Sequence, residues 1–124
     1  MVGKLKQKKE MVDEKQPEVI IDFEYEKELL LIVIENIGSA SAYDVSTRFN
    51  KSILGLQKNK ISSLKIFKFL KFLPPRKKIR IFVDSYQSYI YNRQPLIIQA
   101  NIKFKSKTGK SFKNSILHDL SIKI

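Results

Sequence analysis

No cysteine and a single histidine occur in the 124 residues of this chain. The first absence excludes thiolate nucleophiles, thiolate metal sites and structural disulfides, and it leaves the redox compartment open. The second excludes multi-histidine metal sites within one chain. Long hydrophobic runs are missing too. The longest purely apolar stretch, "LLLIVI" at residues 29–34, falls far short of the roughly 20 residues that span a bilayer. The opening "MVGKLKQKKEMVDEKQ" is charged and has no apolar core of signal-peptide length, so it does not read as a secretion signal. It reads as a flexible charged tail, residues 1–16, ahead of one domain at residues 17–124. A chain of this length buries one proper core without cross-links. With neither signal nor transmembrane segment, the default expectation is a soluble, cytoplasmic protein.

Acidic residues are scarce in the second part of the chain. Residues 18–44 hold seven carboxylates against Lys27, whereas residues 45–124 hold eighteen lysines and arginines against Asp84 and Asp119, within an overall net charge of +12. Such asymmetry implies a basic face that meets an anion, or head-to-tail pairing of unlike faces. A third account is compositional: a lysine-favouring genome yields the same excess with no partner selected.

"SKTGKSF", residues 106–112, carries the Gly-Lys-Ser that ends a Walker A phosphate loop. The full motif needs a glycine five positions before Gly109, where this chain has Phe104, and the residues after Lys110 alternate like a strand rather than opening a helix. A β-hairpin explains the stretch better. With Lys107, Thr108 and Gly109 as a three-residue loop, Gly109 takes the left-handed position and Phe104 faces Phe112; shorter or longer loops set Phe104 against Lys113 or Ser111.

From Pro17 onward short β-like runs alternate with turn residues. "EVIIDFEY" and "LLLIVIENI" come first, the second apolar on both faces and hence central. "AYDVSTRF" alternates Tyr43, Val45, Thr47 and Phe49 against Asp44, Ser46 and Arg48. "KKIRIFVDS" turns Ile79, Ile81 and Val83 inward. "PLIIQANIKFK" turns Ile98, Ala100, Ile102 and Phe104 inward, with Gln99, Asn101, Lys103 and Lys105 outward. The last strand places Phe112, Ile116, Leu120, Ile122 and Ile124 on one face. Seven or eight antiparallel strands, each buried on one side, specify an all-β, immunoglobulin-like two-sheet sandwich. "SSLKIFKFLKFLPPRKK" is ambiguous. As a helix it would set Lys65, Lys68 and Lys71 against Ile66, Phe69, Leu70 and Leu73 until Pro74 and Pro75 end it. It is too short for a membrane-surface helix with no second anchor, so peripheral membrane contact is not expected. It reads instead as a connection between sheets whose apolar side chains cap the core.

"IVIENIGSASAYDV", with Asn36-x-Gly38, then Ala42, then Val45, resembles the "N-x-G-x-x-x-A-x-x-V" turn of CARDB-like immunoglobulin-fold domains of bacteria and archaea. "FLPPRKKIRIFV" is similar to that family's "L-x-P-G" element, with Arg76 where glycine is usual, and "IKFKSKTGKSF" to its closing hairpin. The resemblance spans about residues 17–124 and its motifs are structural: Asn36 hydrogen-bonds the turn, Gly38 takes a positive φ, and Ala42 sits beneath. It implies scaffold, adhesion or protein-binding roles with no enzyme activity, and a family often found outside the cell.

Catalytic, cofactor and metal candidates are absent from this reading. His118 falls on the inward face opposite Ile98, and adjacent Asp119 points the other way, so no His-Asp pair is implied. "DSYQSYIYNRQP" gathers Tyr86, Tyr89, Tyr91 and Arg93, a mixture that stacks bases or sugars; if the segment is extended, Tyr89 and Tyr91 share a face. The expected function is a non-enzymatic binding or scaffold module acting through protein contacts or self-association. The alternative is nucleic-acid binding through a basic face and the tyrosine segment.

Overall fold

The computed structural model describes residues 15–122. The expected tail therefore lies outside the described residues except for Lys15 and Gln16, as does Ile124. Seven strands form: β1 (Val19–Glu26), β2 (Leu29–Asn36), β3 (Ala42–Phe49), β4 (Leu70–Leu73), β5 (Lys78–Ser85), β6 (Ile97–Lys105) and β7 (Ser111–Asp119). They pair antiparallel in two sheets, ordered β1-β2-β5 and β4-β3-β6-β7, packed as a sandwich. In constant-type immunoglobulin domains the fourth strand joins the first, second and fifth. Here it joins the third, which widens the sheet that contains the last hairpin.

Period-two alternation builds the core. Ile21, Leu30, Ile32 and Ile34 from one sheet meet Ile98, Ala100, Ile102 and Val45 from the other, all buried. Strand β2, apolar on both faces, is the centre of its sheet as expected, and even its outward Val33 is covered. Removing this area from water, at about 25 cal/mol per Å² of apolar surface, is the main force holding the sheets together.

The turn after β2 is held by one side chain. Fully buried Asn36 accepts from the N–H groups of Glu18 (3.2 Å) and Gly38 (2.9 Å) through Oδ1, and donates through Nδ2 to the carbonyls of Ala40 and Leu73 (both 2.9 Å). Leu73 belongs to the opposite sheet, so Asn36 ties the two sheets at this end. Gly38 is not needed for a positive φ. It is needed for space, since a Cβ there would sit 2.5 Å from the Glu18 nitrogen, against the backbone of residues 16–18. Ala42 lies buried at the start of β3. The Gln16 carbonyl accepts from Ser39 and Ala40, so the folded unit includes the residue before Pro17.

The final hairpin follows its predicted register. Phe104 pairs with Phe112 and stacks on it at 5.5 Å, His118 pairs with Ile98, and Gly109 has φ +91 in a loop closed by Ser106 and Lys110. Arg76, after the two prolines, adopts φ +66, a left-handed conformation that glycine takes at least cost.

Two expectations fail locally. In β3 a bulge between Tyr43 and Ser46, with Asp44 at φ +50, interrupts the alternation. Val45 and Thr47 point inward, but Tyr43 is turned to the outer surface, where its ring meets Phe72 at 5.3 Å. The "SSLKIFKFLKFLPPRKK" stretch is not a ten-residue helix, and only its proline end makes the expected crossing between sheets. Helix α1 (Lys65–Lys68) is a single turn that buries Phe67, and β4 then pairs with β3 in the same sheet. The crossing comes afterwards, at Pro74–Pro75. Phe69, expected on the apolar face, is 70 % exposed.

Candidate functional site

The tyrosine segment is the first candidate, and the structure divides it between the core and the surface. Ser85 Oγ accepts from the Ser88 N–H and caps helix α2 (Tyr86–Tyr91), so the segment is helical rather than extended. A helical spacing of 100° per residue keeps Tyr86 and Tyr89 on neighbouring sides of the helix and sends Tyr91 away from Tyr89. Tyr89 is fully buried and donates its hydroxyl to the Pro95 carbonyl; burial pushes its pKa well up. Tyr86 donates to the Leu120 carbonyl (2.8 Å) and meets Tyr25 edge to face at 4.9 Å. Tyr25 donates to the same carbonyl (3.0 Å), and desolvation first, then Tyr86 and Asp119, pushes its pKa up to about 12. Tyr91 is 83 % exposed, and Arg93 is exposed beyond the helix. Tyr86 and Tyr91 line one open depression of about 530 Å³ with Glu28, Gln87 and Ile90, whereas Tyr89 is buried and takes no part in it.

His118 sits at the seam where β7 crosses β1. Its ring is half-buried and packs edge to face on Phe23 at 4.9 Å. Desolvation lowers its pKa, opposed by a backbone hydrogen bond to Ile21 and by the charge of Asp22, so the imidazole is neutral at pH 7. Asp119 faces outward and is held low by hydrogen bonds from Ser121. The two are not paired. Among the described residues no three His, Asp or Glu side chains are grouped to hold a metal ion, and no helix is long and apolar enough to cross a membrane.

The outer face of the four-stranded sheet brings together what the sequence scattered. Its register can be followed across the strands. Phe72 of β4 lies beside Tyr43 of β3, which pairs with Lys105 of β6, which pairs with Ser111 of β7. The next row is Ser46, Lys103 and Lys113, and the next is Arg48, Asn101 and Ser115. Lys103 and Lys113 stand directly opposite one another, a like-charge pair that disfavours the sheet. The polar end is internally satisfied: Gln99 donates to Ser115 (2.6 Å), which donates to Asn101 (2.7 Å). The lysine end is not. Among the described residues the ion pairs lie on the other sheet, where Glu24 holds Lys78 (3.2 Å) and Arg80 (3.3 Å) and Glu35 reaches Lys78 (3.9 Å).

At its β3 side the basic face deepens into a cleft of about 580 Å³, lined by Arg48, Lys51, Lys68 and Lys103 with serine and asparagine side chains between them and no carboxylate. Four cations around one cavity focus a positive potential that attracts anions and raises their local concentration. A second cleft of about 500 Å³, between β1 and the end of β7, has the opposite sign: Asp22, Glu24, Glu26 and Asp119 line it with Arg80 and His118.

Part of the basic face could be read in advance, because Lys103 and Lys105 fall outward by alternation and the three-residue turn sets Lys113 opposite Lys103. Tyr43 and Phe72 were missed. The bulge that exposes one and the edge strand that carries the other have no signature in period two.

No curated protein and no solved structure matches the chain at a significant level. A family model does match, over residues 1–122, and by that match the chain belongs to DUF8453, a family of domains of unknown function.

Proposed function

We propose that this domain is a non-enzymatic binding module whose contact surface is the outer face of its four-stranded sheet, and that the partner it meets there is anionic. The observation that carries this reading is the opposed pair Lys103 and Lys113 beside Arg48 and Lys105, four cations against the one carboxylate of Asp44 exposed in the β3 bulge between their rows. Holding like charges opposite each other costs a few tenths of a kcal/mol to about 1 kcal/mol in the free protein. An anion laid across them relieves that cost, so the arrangement favours the bound state.

Head-to-tail self-association is the weaker version. Of the acidic surface it would use, Glu24 and Glu35 are engaged by Lys78 and Arg80 while Asp22, Glu26 and Asp119 still line the second cleft, and two copies of a chain with net charge +12 repel. The scaffold role implied by the likeness to CARDB-like domains fits within the proposal, resting on the Asn36-Gly38 turn and the sandwich.

Two double variants of equal charge change test the reading: Lys103→Glu with Lys113→Glu on the face, and Lys58→Glu with Lys60→Glu in the exposed loop after β3. Binding to labelled polyglutamate and to oligothymidylate is followed by fluorescence anisotropy. The face variant is expected to lose about tenfold or more in affinity for whichever polyanion the parent binds, and the loop variant to stay within about twofold. Equal losses in both would mean that net charge, not the face, attracts the anion.

A further inference from the structure

We propose that the anion is single-stranded nucleic acid, with bases stacked on Phe72 and Tyr43 and phosphates following Lys105, Lys103, Lys113 and Arg48. This rests on the reading of the face given above and adds the class of ligand. Three features of the face distinguish a nucleic acid from an acidic protein segment.

The first is the aromatic end. Phe72 is 49 % exposed and Tyr43 is half-buried on the outside of a sheet whose other outward positions are largely polar or charged. Their rings, 5.3 Å apart and tilted by 49°, contact each other along one side. The exposed side of Phe72 is free to take a base, and such stacking is sequence-tolerant because every base has a π-face. A stretch of aspartate or glutamate has no group that uses an aromatic plane.

The second is spacing. Outward side chains recur about every 6.8 Å along a strand and neighbouring strands lie about 4.8 Å apart. Lys105 is therefore next to Tyr43 across the β3–β6 ladder, Lys103 is one outward step along β6, and Lys113 is opposite Lys103. The cations begin where the aromatic pair ends and lead into the cleft of Arg48, Lys51 and Lys68. A backbone whose base rests on Phe72 has positive charge under each following phosphate.

The third is the kind of cation. Of these residues only Arg48 presents the rigid fork that matches a carboxylate bidentately; the others are lysines, mobile point charges suited to successive phosphates. The strand is single because the aromatic pair lies on the open surface of a sheet. The bases of a duplex are hidden from a lateral aromatic surface such as Phe72 and Tyr43 present.

The test uses the full chain with three probes: an oligothymidylate of about 12 nucleotides, a duplex of the same length, and polyglutamate, each over a range of salt. The parent is expected to bind the single strand several-fold more tightly than either other probe. Phe72→Ala is expected to weaken single-strand binding by about 5- to 100-fold without changing the salt slope, since stacking releases no counterions. Lys103→Gln with Lys113→Gln is expected to reduce that slope by about 1.4, two phosphates' worth. Tyr91→Ala, on the exposed side of helix α2, is expected to bind like the parent. Should Phe72→Ala lower the melting temperature, Phe72→Leu keeps an apolar contact with Tyr43 while removing the π-face, and carries the same expectation. Unchanged single-strand affinity in the folded Phe72 variant, or duplex or polyglutamate bound as tightly as the single strand, overturns the proposal. If polyglutamate binds best and the lysine variant abolishes that binding, the face is a contact site for an acidic protein. If no probe responds to the lysine variant, the face reading itself falls.

Discussion

On the three-stranded sheet Lys78 and Arg80 project between Glu24 and Glu35, while on the four-stranded sheet Arg48, Lys103, Lys105 and Lys113 project among serines, asparagines and two aromatic rings. Both faces come from the same lysine-rich chain, built on the same antiparallel frame. The four-stranded face also carries carboxylates, Asp44 in the β3 bulge and Asp119 at the end of β7, but among the described residues the ion pairs lie on the other sheet. The contrast lies in pairing: one face neutralises its cations with Glu24 and Glu35, and the other holds Lys103 and Lys113 opposite one another. Charge also follows chain order only loosely, since Lys78 and Arg80 belong to the basic stretch yet are carried onto the acidic sheet by the pairing of β5 with β2.

The largest effect is expected where the two sheets are tied. Asn36→Ala removes partners from two N–H groups and two carbonyls at a fully buried site, and should cost about 2–4 kcal/mol in urea unfolding. A loss under about 1 kcal/mol would mean that the sheets are held at this end by packing alone. Next comes Gly109→Val in the hairpin that carries Lys105 and Lys113. No neighbouring atom would meet an added Cβ, so the cost is that of a β-branched residue at φ +91, about 1 kcal/mol or more; an unaltered thermal midpoint would contradict the turn geometry.

A smaller pair of effects compares the faces directly. Lys113→Glu replaces a like-charge opposition with an attraction to Lys103 and should stabilise the fold by a few tenths of a kcal/mol while abolishing anion binding. Lys78→Glu should destabilise by a similar amount, because it puts a third carboxylate beside Glu24 and Glu35. Melting temperatures that move in the same direction for both would erase the distinction between the faces. The smallest effect belongs to His118, beneath the seam of β1 and β7. Burial lowers its folded pKa, so on acidification the unfolded chain takes up that proton first. The stability contributed by the neutral ring is complete above the ordinary value of 6.5 and is lost as pH falls below it toward the lowered folded value. The melting temperature of the parent should fall relative to His118→Gln across that window, and parallel pH profiles would count against it.

What could be read from residues alone divides by physical cause. The sandwich, the central place of β2 and the Phe104–Phe112 register followed from alternation and one glycine, because burial on one face forces period two. The tyrosine segment failed because six residues are too few to display a helical period, and its start is fixed by the Ser85 cap rather than by hydrophobicity. Tyr43 failed because a single residue in a left-handed conformation, Asp44, reverses the alternation of what precedes it. Phe72 failed because β4 has only four residues and borrows its strand identity from β3. The candidate surface is thus half legible: its lysines follow from local pattern, and its aromatic end depends on tertiary pairing.

The exchange of strands between the sheets also sets how the chain must find its structure. β1 with β2, and β6 with β7, are hairpins that close within a few residues, on a timescale of about 1–10 μs. The ladders that join them to the rest do not: Leu30 waits for Asp84, and Phe49 for Ala100. Long loops must be ordered before those contacts give anything in return, so folding is expected in the range of milliseconds to seconds. During that interval the last hairpin already presents Lys103, Lys105 and Lys113 in their final register, and a polyanion that captures it early would act on the rate of folding as well as on the finished domain.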